Sequence, residues 1–202
     1  MEISVAELSD IDEVLELHYK YHITSITGED KANGFVTTSF TKDQITNLVT
    51  NERGLFIARE DGLLVAYAMA ASWEFWPQWP MFSRMIKGLP KLKFLGRQLS
   101  TDNSYQYGPV CVDESIRGSG ALEKIFDFAR AKMAERYEVL VTFINAINTR
   151  SFVAHTKKLG LEIINEFEFN GNQYYELAYD TSRPVSPCLP VKEGLHNSPQ
   201  SP

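Results

Sequence analysis

Apolar and polar positions recur with two different periods along this chain, and these periods divide it into predicted strands and helices. Residues 2 to 7 have the pattern of a strand, and Ser9 is expected to cap the helix that follows. A polar stretch with scattered glycine over residues 23 to 40 predicts a loop. Thr41 and Gln44 then have the spacing of a capping box and predict a second helix.

The next segment predicts a β-hairpin. Two apolar runs, residues 55 to 58 and 63 to 67, flank Asp61–Gly62, a pair suited to the positive φ angles of a tight turn. The second run continues into the alanine-rich residues 68 to 71, whose small side chains leave room for something to lie against the strand. Both a closely packed helix and a bound molecule fit that pattern.

Strands and helices continue in a regular order through the second half of the chain. A near-continuous apolar run over residues 138 to 144 predicts a strand buried on both faces. The other predicted elements are a strand over 104–112, helices from a glycine-rich loop to about 136 and over 148–159, and a hairpin of 161–169 and 173–179 around Asn170–Gly171. Together these elements predict one α/β domain over residues 1–182.

Residues 183–202 differ in composition from the rest of the chain. Five of the nine prolines lie there, together with serines and almost no large apolar residues. A segment of this kind cannot bury enough apolar surface to offset the entropy of ordering, so it predicts a disordered tail.

Composition narrows the class of protein. The 202 residues are 44% hydrophobic and contain no run of about 20 apolar residues, so a membrane span is not expected. The N-terminus lacks the pattern of a signal peptide. Only two cysteines occur, Cys111 and Cys188, which argues against a disulfide framework and favours a reduced, cytoplasmic setting. No cysteine and histidine cluster has zinc spacing, so no metal is expected.

The charge is unevenly spread along the chain. The net charge of −6 argues against nucleic acid as a partner, whereas an acidic body would favour a cationic substrate such as an amine; a merely soluble surface explains the charge equally well. Residues 75 to 101 carry five basic residues and no acidic one. We interpret residues 77–100 as an insertion that forms a lid, an acceptor-pocket wall, a homodimer face, a membrane or protein contact, or packing cover over the sheet.

The strongest chemical signal is a glycine-rich loop between a strand and a helix. Val110–Val112 end the strand, Gly118 and Gly120 flank Ser119 at the turn, and apolar residues follow at helical spacing. Such a junction directs free backbone N–H groups and the positive end of a helix dipole at one point, which suits phosphate oxygens. The spacing matches neither the Walker loop nor the dinucleotide fingerprint.

This loop resembles the pyrophosphate loop of the GCN5-related N-acetyltransferases, the GNAT superfamily. That loop begins with arginine or glutamine, which Arg117 matches, and Gly118 to Gly120 fit it as well. Leu122 departs from the glycine or alanine that usually ends the motif. The predicted order of strands and helices also matches this superfamily, and so does a second motif carried by Asn148, Ser151, His155, Lys157 and Gly160.

The resemblance implies a mixed, mostly antiparallel sheet of about seven strands flanked by about four helices. It further implies that the strands over 104–112 and 138–144 part at their ends and admit acetyl-CoA, the co-substrate. The pantetheine arm would pair with the backbone of Val110, Cys111 and Val112. The diphosphate would bind the backbone N–H groups of Arg117, Gly118, Ser119, Gly120, Ala121 and Leu122.

Catalytic residues are less clearly marked. His155 occupies the position where the superfamily commonly has a tyrosine that protonates the leaving thiolate, so a general-acid role is one interpretation and a hydrogen-bonded core histidine is the other. Asn148 would bond pantetheine, cap its helix, or do both. Glu74 is a candidate base whose pKa burial would raise, although a strand residue pointing to solvent fits the same pattern.

The sequence therefore predicts an acetyl-CoA-dependent N-acetyltransferase that acts by direct attack of a primary amine in a ternary complex. The acceptor would be a small molecule or an amino-acid-like amine, for which Trp73, Trp76 and Trp79 offer a binding surface. The alternative is a non-catalytic module that binds acyl-CoA or CoA for regulation or interaction.

Overall fold

The computed structural model describes residues 1–28 and 30–185, and it contains a seven-stranded sheet with helices against both faces. From residue 186 onward, the predicted tail and Cys188 lie outside the described residues. The α-helices among these residues are α1 (Ile11–Lys20), α2 (Lys42–Asn47), α3 (Pro80–Gly88), α4 (Ala121–Met133) and α5 (Thr149–Val153). The strands are β1 (Glu2–Val5), β2 (Leu55–Glu60), β3 (Leu63–Ala71), β4 (Lys93–Phe94), β5 (Arg97–Gln98), β6 (Ser104–Val112), β7 (Val139–Asn145), β8 (Glu162–Phe169) and β9 (Asn172–Asp180). None of the described helices is long and apolar enough to cross a membrane.

The main sheet has the strand order β1-β2-β3-β6-β7-β9-β8. Its neighbouring strands pair antiparallel except β6 and β7, which are parallel and are joined through α4. A parallel pair needs such a crossover because its second strand must start at the same end as the first. The predicted mixed sheet of about seven strands is confirmed.

Helices cover the two faces of the sheet with separate cores. The core on one face includes residues of α1, α2 and α3, and the core on the other includes residues of α4. On the second face, α4 packs against β3, where Ala66, Ala68 and Ala70 are fully buried. The small side chains of β3 therefore make room for a closely packed helix.

Local turn chemistry accounts for most element boundaries. Asp61–Gly62 and Asn170–Gly171 adopt positive φ angles in the two predicted hairpins, which are confirmed. The Thr41 capping box is also confirmed, because the Thr41 N–H donates to Gln44 Oε1 at 2.8 Å and the Gln44 N–H donates to Thr41 Oγ1 at 3.2 Å.

The predicted cap at Ser9 is wrong. A 3₁₀ turn over Leu8–Asp10 precedes α1, and the side chain of Asp10 accepts a hydrogen bond from the Glu7 N–H at 2.8 Å. The carboxylate three residues after Glu7 stabilises the turn before the helix, so α1 begins at Ile11, later than the Ser9 cap implied.

The insertion forms packing cover over the sheet. It contains α3 and the small β4–β5 hairpin, and its apolar side chains are buried in the core shared with α1 and α2: Phe82, Met85, Leu89, Phe94 and Leu99. Trp73 and Trp76 are buried in the same core, where Trp76 stacks on Phe82 with 4.5 Å between ring centroids. These two tryptophans therefore support the fold and do not form an acceptor surface.

Gly54, just before β2, provides a test of the packing. A Cβ added there would lie 1.7 Å from the Ala70 carbonyl oxygen, so we expect Gly54→Ala to lower the free energy of unfolding by about 3 kcal/mol or more. Gly88 is the matched control, because a Cβ there meets nothing within 4 Å and the backbone is helical. Gly88→Ala should leave stability unchanged or raise it by about 0.4–1 kcal/mol. Equal urea-unfolding curves for the two variants would contradict this packing.

Candidate active site

The sheet opens where β6 and β7 stop pairing. Their ladder comprises three pairs only, from Ser104–Val139 to Gln106–Val141. Beyond Gln106, β6 remains paired with β3, while β7 remains paired with β9 as far as Asn145. The edge of β6 that faces β7 therefore has no strand partner over its last six residues, and the parting of strands implied by the resemblance is present.

A bulge in β6 lies at the start of this split. Ala68 of β3 is opposite Val110, but Ala70 is opposite Tyr107, so Gly108 and Pro109 together oppose a single residue of β3. An extra residue in one strand increases its local bend and twist. The φ angle of Gly108 is +102°, a conformation that residues with a Cβ rarely adopt. The bulge thus accounts for the departure of β6 from β7.

Two cavities meet at the split. The first, here called the loop cavity, has a volume of about 140 Å³ and runs along the glycine-rich loop. The second, the split cavity, has a volume of about 80 Å³ and lies between the parted ends of β6 and β7. The two cavities share the lining residues Phe35, Val36, Val110, Asn148, Ser151 and His155.

The glycine-rich loop presents unpaired amides to the loop cavity. The N–H groups of Arg117 and Ser119 already donate to the carbonyl oxygens of Glu114 and Ile116, each at 3.3 Å, so these two amides are engaged within the protein, and their binding of an anion stays a prediction. Within the described chain, no acceptor pairs with the N–H groups of five neighbouring residues, all of which line the loop cavity: Gly118, Gly120, Ala121, Leu122 and Glu123. Ser119 does not line it.

Both loop glycines are required by their backbone conformation. The φ angles are +85° at Gly118 and +83° at Gly120, where Gly120 caps α4. A Cβ at either position would meet nothing within 4 Å. Glycine is therefore needed for the positive φ angle and not to avoid a clash with the rest of the protein. Both glycines line the loop cavity.

Charge along the loop cavity is predominantly positive. Arg117, Arg150 and Lys158 line it and form no ion pair with any described residue, whereas Glu123 is the single acidic residue in the lining. The positive end of the α4 dipole adds to this field. In a chain of net charge −6, this local excess of cations favours an anionic ligand at the loop.

Arg117 also fastens the loop to its neighbours. Its Nε donates to the Val112 carbonyl oxygen at 3.1 Å, and its guanidinium lies 4.8 Å from the ring centroid of Tyr21. One acceptor of the segment expected to pair with pantetheine, the carbonyl of Val112, is therefore already hydrogen-bonded. The side chain of Arg117 therefore holds the loop against Val112 and Tyr21 in addition to supplying positive charge.

Asp113 ties the end of β6 to α1. Its carboxylate accepts hydrogen bonds from Lys20 Nζ at 2.8 Å, from the Ser115 N–H at 3.0 Å and from the Tyr21 hydroxyl at 3.2 Å. Burial opposes the charge of this carboxylate, but the bonds from Lys20 and Ser115 outweigh it and hold the pKa of Asp113 well below its usual range. The loop is thus held by an ionised carboxylate at neutral pH.

Residues 33–40, here called the strap, pass beside both cavities and contribute Phe35 and Val36 to their lining. Side chains from several elements hold the strap through its main-chain carbonyl oxygens. The donors are Asn148 to Phe35 (3.0 Å), His22 to Thr37 (3.2 Å), His18 to Thr38 (2.9 Å), Trp79 to Ser39 (3.3 Å) and Tyr19 to Phe40 (2.8 Å). These bonds fix the path of a segment that lines both cavities.

Asn148 is one of the strap's anchors and also the cap of α5. Its Oδ1 accepts from the Ser151 N–H at 3.2 Å while its Nδ2 donates to Phe35. The capping role offered by the sequence is confirmed. Its contact with pantetheine stays a prediction, and Asn148 does line both cavities.

His155 lies at the junction of the two cavities. Its Nδ1 is 2.8 Å from the Ser151 carbonyl oxygen, which can only accept, so Nδ1 carries the proton and Nε2 has a free lone pair. Burial lowers the pKa of His155, so the ring is neutral at pH 7. The ring therefore offers a proton acceptor at Nε2, and the predicted general-acid role has no support in this arrangement.

Three consecutive residues of β6 hold most of the unsatisfied polar atoms. Within the described chain, four buried side-chain atoms lack a hydrogen-bond partner, and three of them are Tyr105 Oη, Gln106 Oε1 and Tyr107 Oη. These residues lie where the β6–β7 ladder ends, and Gln106 and Tyr107 line the split cavity. Orphaned buried groups are rare in folded proteins and often mark functional sites. The sequence pattern does not reveal them, because a glutamine such as Gln106 between apolar residues of a strand looks like any other polar strand residue.

Cys111 is not suited to act as a nucleophile. It lines the loop cavity but is buried, and burial raises the pKa of its thiol to about 12, so the reactive thiolate is scarce at neutral pH. A covalent acyl-cysteine route is therefore disfavoured.

Glu74 does not reach either cavity. The strand β3 ends at Ala71, and Glu74 lies exposed in the turn that follows. Of the two interpretations of Glu74, the buried base is wrong and the solvent-facing residue agrees with the structure, although Glu74 lies in a turn and not on the strand. The neighbouring Trp73, Phe75 and Trp76 are buried in the core while Glu74 is exposed. The structure does not bring this carboxylate to the site.

Comparison with solved structures identifies the fold. Alignments with TM-scores of 0.60, 0.58 and 0.58 are found for the smu.2055 protein of Streptococcus mutans, the yncA protein of Salmonella typhimurium solved with its cofactor acetyl-CoA, and a GNAT-family acetyltransferase of Streptococcus agalactiae. Their identities are 20%, 13% and 14%, and the alignments cover 90%, 93% and 89% of this chain and 99%, 97% and 95% of theirs. No protein-family model and no curated protein matches the chain.

The strap gives a prediction for stability against pH. His18 donates from Nε2 to the strap and accepts from the Tyr67 hydroxyl at Nδ1, and burial together with the nearby His22 lowers its pKa to about 4. Between pH 6.5 and 4 the unfolded chain therefore binds a proton that the folded chain does not. We expect the free energy of unfolding to fall by up to about 3 kcal/mol across this window as the pH drops. The free energy of unfolding, measured with denaturant at several pH values, should depend less steeply on pH in His18→Gln than in the parent protein. The same pH dependence in both proteins would contradict the assignment to His18.

Proposed function

We propose that this chain, which has the fold of the GNAT acetyltransferases, is an acetyl-CoA-dependent N-acetyltransferase that acts on the primary amine of a small molecule. One observation carries the proposal. Five unpaired amides at the start of α4 line a cavity that continues, past His155, into the split between β6 and β7. An anion site and an opening in a sheet are thereby joined in one continuous path.

The loop cavity fits a nucleotide diphosphate. Several aligned N–H donors bind a multidentate anion without any particular side chain, and Arg117, Arg150 and Lys158 would add charge. The unpaired edge of β6 from Val110 onward would accept an extended pantetheine arm, because Val110, Cys111 and Val112 line the loop cavity and Val110 also lines the split cavity. The Val112 carbonyl would contribute less, because Arg117 already occupies it.

Acetyl-CoA would supply an activated thioester: a C–N bond forms as the C–S bond breaks, the amine loses one proton and the thiolate gains one. His155 would accept the amine proton at Nε2, directly or through one water, because that lone pair is free beside both cavities. Its bond to the Ser151 carbonyl fixes the ring and the tautomer.

Tyr107 is a second candidate for the chemistry. Its hydroxyl is unpaired and buried, and burial raises its pKa well above the usual range, so it keeps its proton. We assign it as a hydrogen-bond donor toward negative charge that develops in the split. Its ring lies 6.2 Å from that of His155, measured between centroids.

A non-catalytic acyl-CoA-binding module is the alternative. It is favoured by the lining of the split cavity, in which the described part of the chain places no aspartate or glutamate to act as a base. Calorimetry with acetyl-CoA, combined with thiol release in the presence of a panel of primary amines, separates the two functions. We expect binding together with amine-dependent thiol release. Binding without release across the panel would favour the module, and absence of binding would overturn both. The cytoplasmic setting stays a prediction.

The amide site gives a sharp test by mutation. Gly120→Ala forces a Cβ onto a φ angle of +83° and should displace the free amides of the loop, lowering acetyl-CoA affinity by about ten-fold or more. Gly171→Ala is the matched control, because Gly171 has a φ angle of +73° in the β8–β9 hairpin and lines neither cavity. Calorimetry should show weakened binding in the first variant alone. Equal affinities at comparable stability would contradict the amide site.

His155 gives a test of the proton path. We expect His155→Gln to lower kcat by about 100-fold or more while acetyl-CoA affinity changes little. Because burial lowers the pKa of His155 below the ordinary histidine value, the kcat of the parent protein should fall only at pH values below the ordinary histidine range, and this acidic limb should be absent from the variant. An unchanged kcat and an unchanged pH profile would leave His155 with a structural role only.

A further inference from the structure

The split cavity, here taken as the acceptor end of the site, differs sharply in charge from the loop cavity, taken as the nucleotide end. No lysine, arginine, aspartate or glutamate among the described residues lines the split cavity. Its walls include the rings of Phe35, Phe82 and Phe143, and the rings of Phe82 and Phe143 pack edge to face with 5.4 Å between centroids. A charged group buried there would lack a partner of opposite sign.

Two residues that line this cavity, Gln106 and Tyr107, each carry a buried polar atom without a partner, and of the two only Gln106 Oε1 is purely an acceptor. Gln106 is 1% exposed, and its Nε2 donates to the Tyr107 carbonyl oxygen at 2.6 Å, which fixes the orientation of the amide. Its Oε1 therefore faces away from that bond and has no donor. A buried acceptor without a donor destabilises the empty protein, and a ligand N–H that reached it would remove that cost.

We propose that the acceptor is a small apolar monoamine without a carboxylate or a second charge, and that Gln106 Oε1 accepts a hydrogen bond from its reacting amine. The proposal rests on the proposed function and narrows its substrate. An uncharged, aromatic-walled cavity disfavours an ammonium ion, so the amine enters in its neutral, nucleophilic form. The phenyl rings that line the cavity offer apolar surface to the hydrocarbon part of such an amine.

Three acceptors that differ in charge test this proposal: 2-phenylethylamine, phenylalanine and 1,4-diaminobutane. The first two differ only by the α-carboxylate. We expect kcat/KM for 2-phenylethylamine to exceed the values for the other two by about 100-fold or more, since each of them brings a charge that the cavity leaves unpaired. Equal use of phenylalanine or the diamine would overturn the acceptor class, as would failure of 2-phenylethylamine with a protein that binds acetyl-CoA.

A variant tests the role of the amide oxygen. Gln106→Leu should raise the KM for 2-phenylethylamine about ten-fold while calorimetric affinity for acetyl-CoA stays the same. Gln106→Met is the second variant, in case the first fails to fold. Glu176→Gln is the matched control, because Glu176 Oε1 is also buried and unpaired but its residue does not line the cavity, so its amine KM should not change.

These readouts keep the two proposals apart. If the parent protein does not bind acetyl-CoA, the proposed function and the acceptor class are both overturned. Intact acetyl-CoA binding and an amine KM unaffected by Gln106→Leu would overturn the role of Gln106 alone.

Discussion

The early end of the β6–β7 ladder is the constraint on which this site depends. A parallel pair inside a sheet is normally bonded along its length, because buried backbone N–H and C=O groups without partners are costly. Here the pairing stops after Gln106–Val141, and the bulge at Gly108 and Pro109 bends β6 away. The unpaired backbone edge and the cavity between the strands arise from the same departure. A ligand that extends along β6 would restore the missing pairing.

Much of the fold follows from local sequence pattern. The hairpin turns at Asp61–Gly62 and Asn170–Gly171 and the capping box at Thr41 are short-range signals with a mechanical cause, and each is found where the pattern places it. Ser9 does not cap the helix, because the carboxylate of Asp10 accepts the Glu7 N–H and stabilises a 3₁₀ turn that includes Ser9. Glu74 fails because neighbouring aromatic residues indicate burial of the segment without indicating which of its side chains turns outward.

The site itself is only partly visible in the sequence. The glycine-rich loop is marked by its composition, but which of its amides remain free depends on the 3₁₀ turn over Glu114–Ile116, which uses those of Arg117 and Ser119 internally. Gln106 and Tyr107 carry no sequence signal, since their importance arises from where a neighbouring strand stops. Arg150 in α5 and Lys158 in the π-helical turn over Ala154–Lys158 likewise reach the loop cavity only because this helical segment lies beside it. These features depend on contacts between segments that are far apart in the sequence, and a local sequence pattern carries no information about such contacts.

The way in which the strap is held has an evolutionary consequence. All five side-chain donors bond to its carbonyl oxygens, and every amino acid carries a carbonyl oxygen. The side chains of Phe35 to Thr38 are therefore not the groups that these anchors recognise, and these four residues line the split cavity. Ser39 and Phe40 differ, because their side chains contact His22, His18 and Trp79. Substitutions in this segment can reshape the pocket while its path is preserved by residues elsewhere. Substitutions in the strap can therefore change which acceptor the protein prefers, while the residues that anchor the strap stay the same.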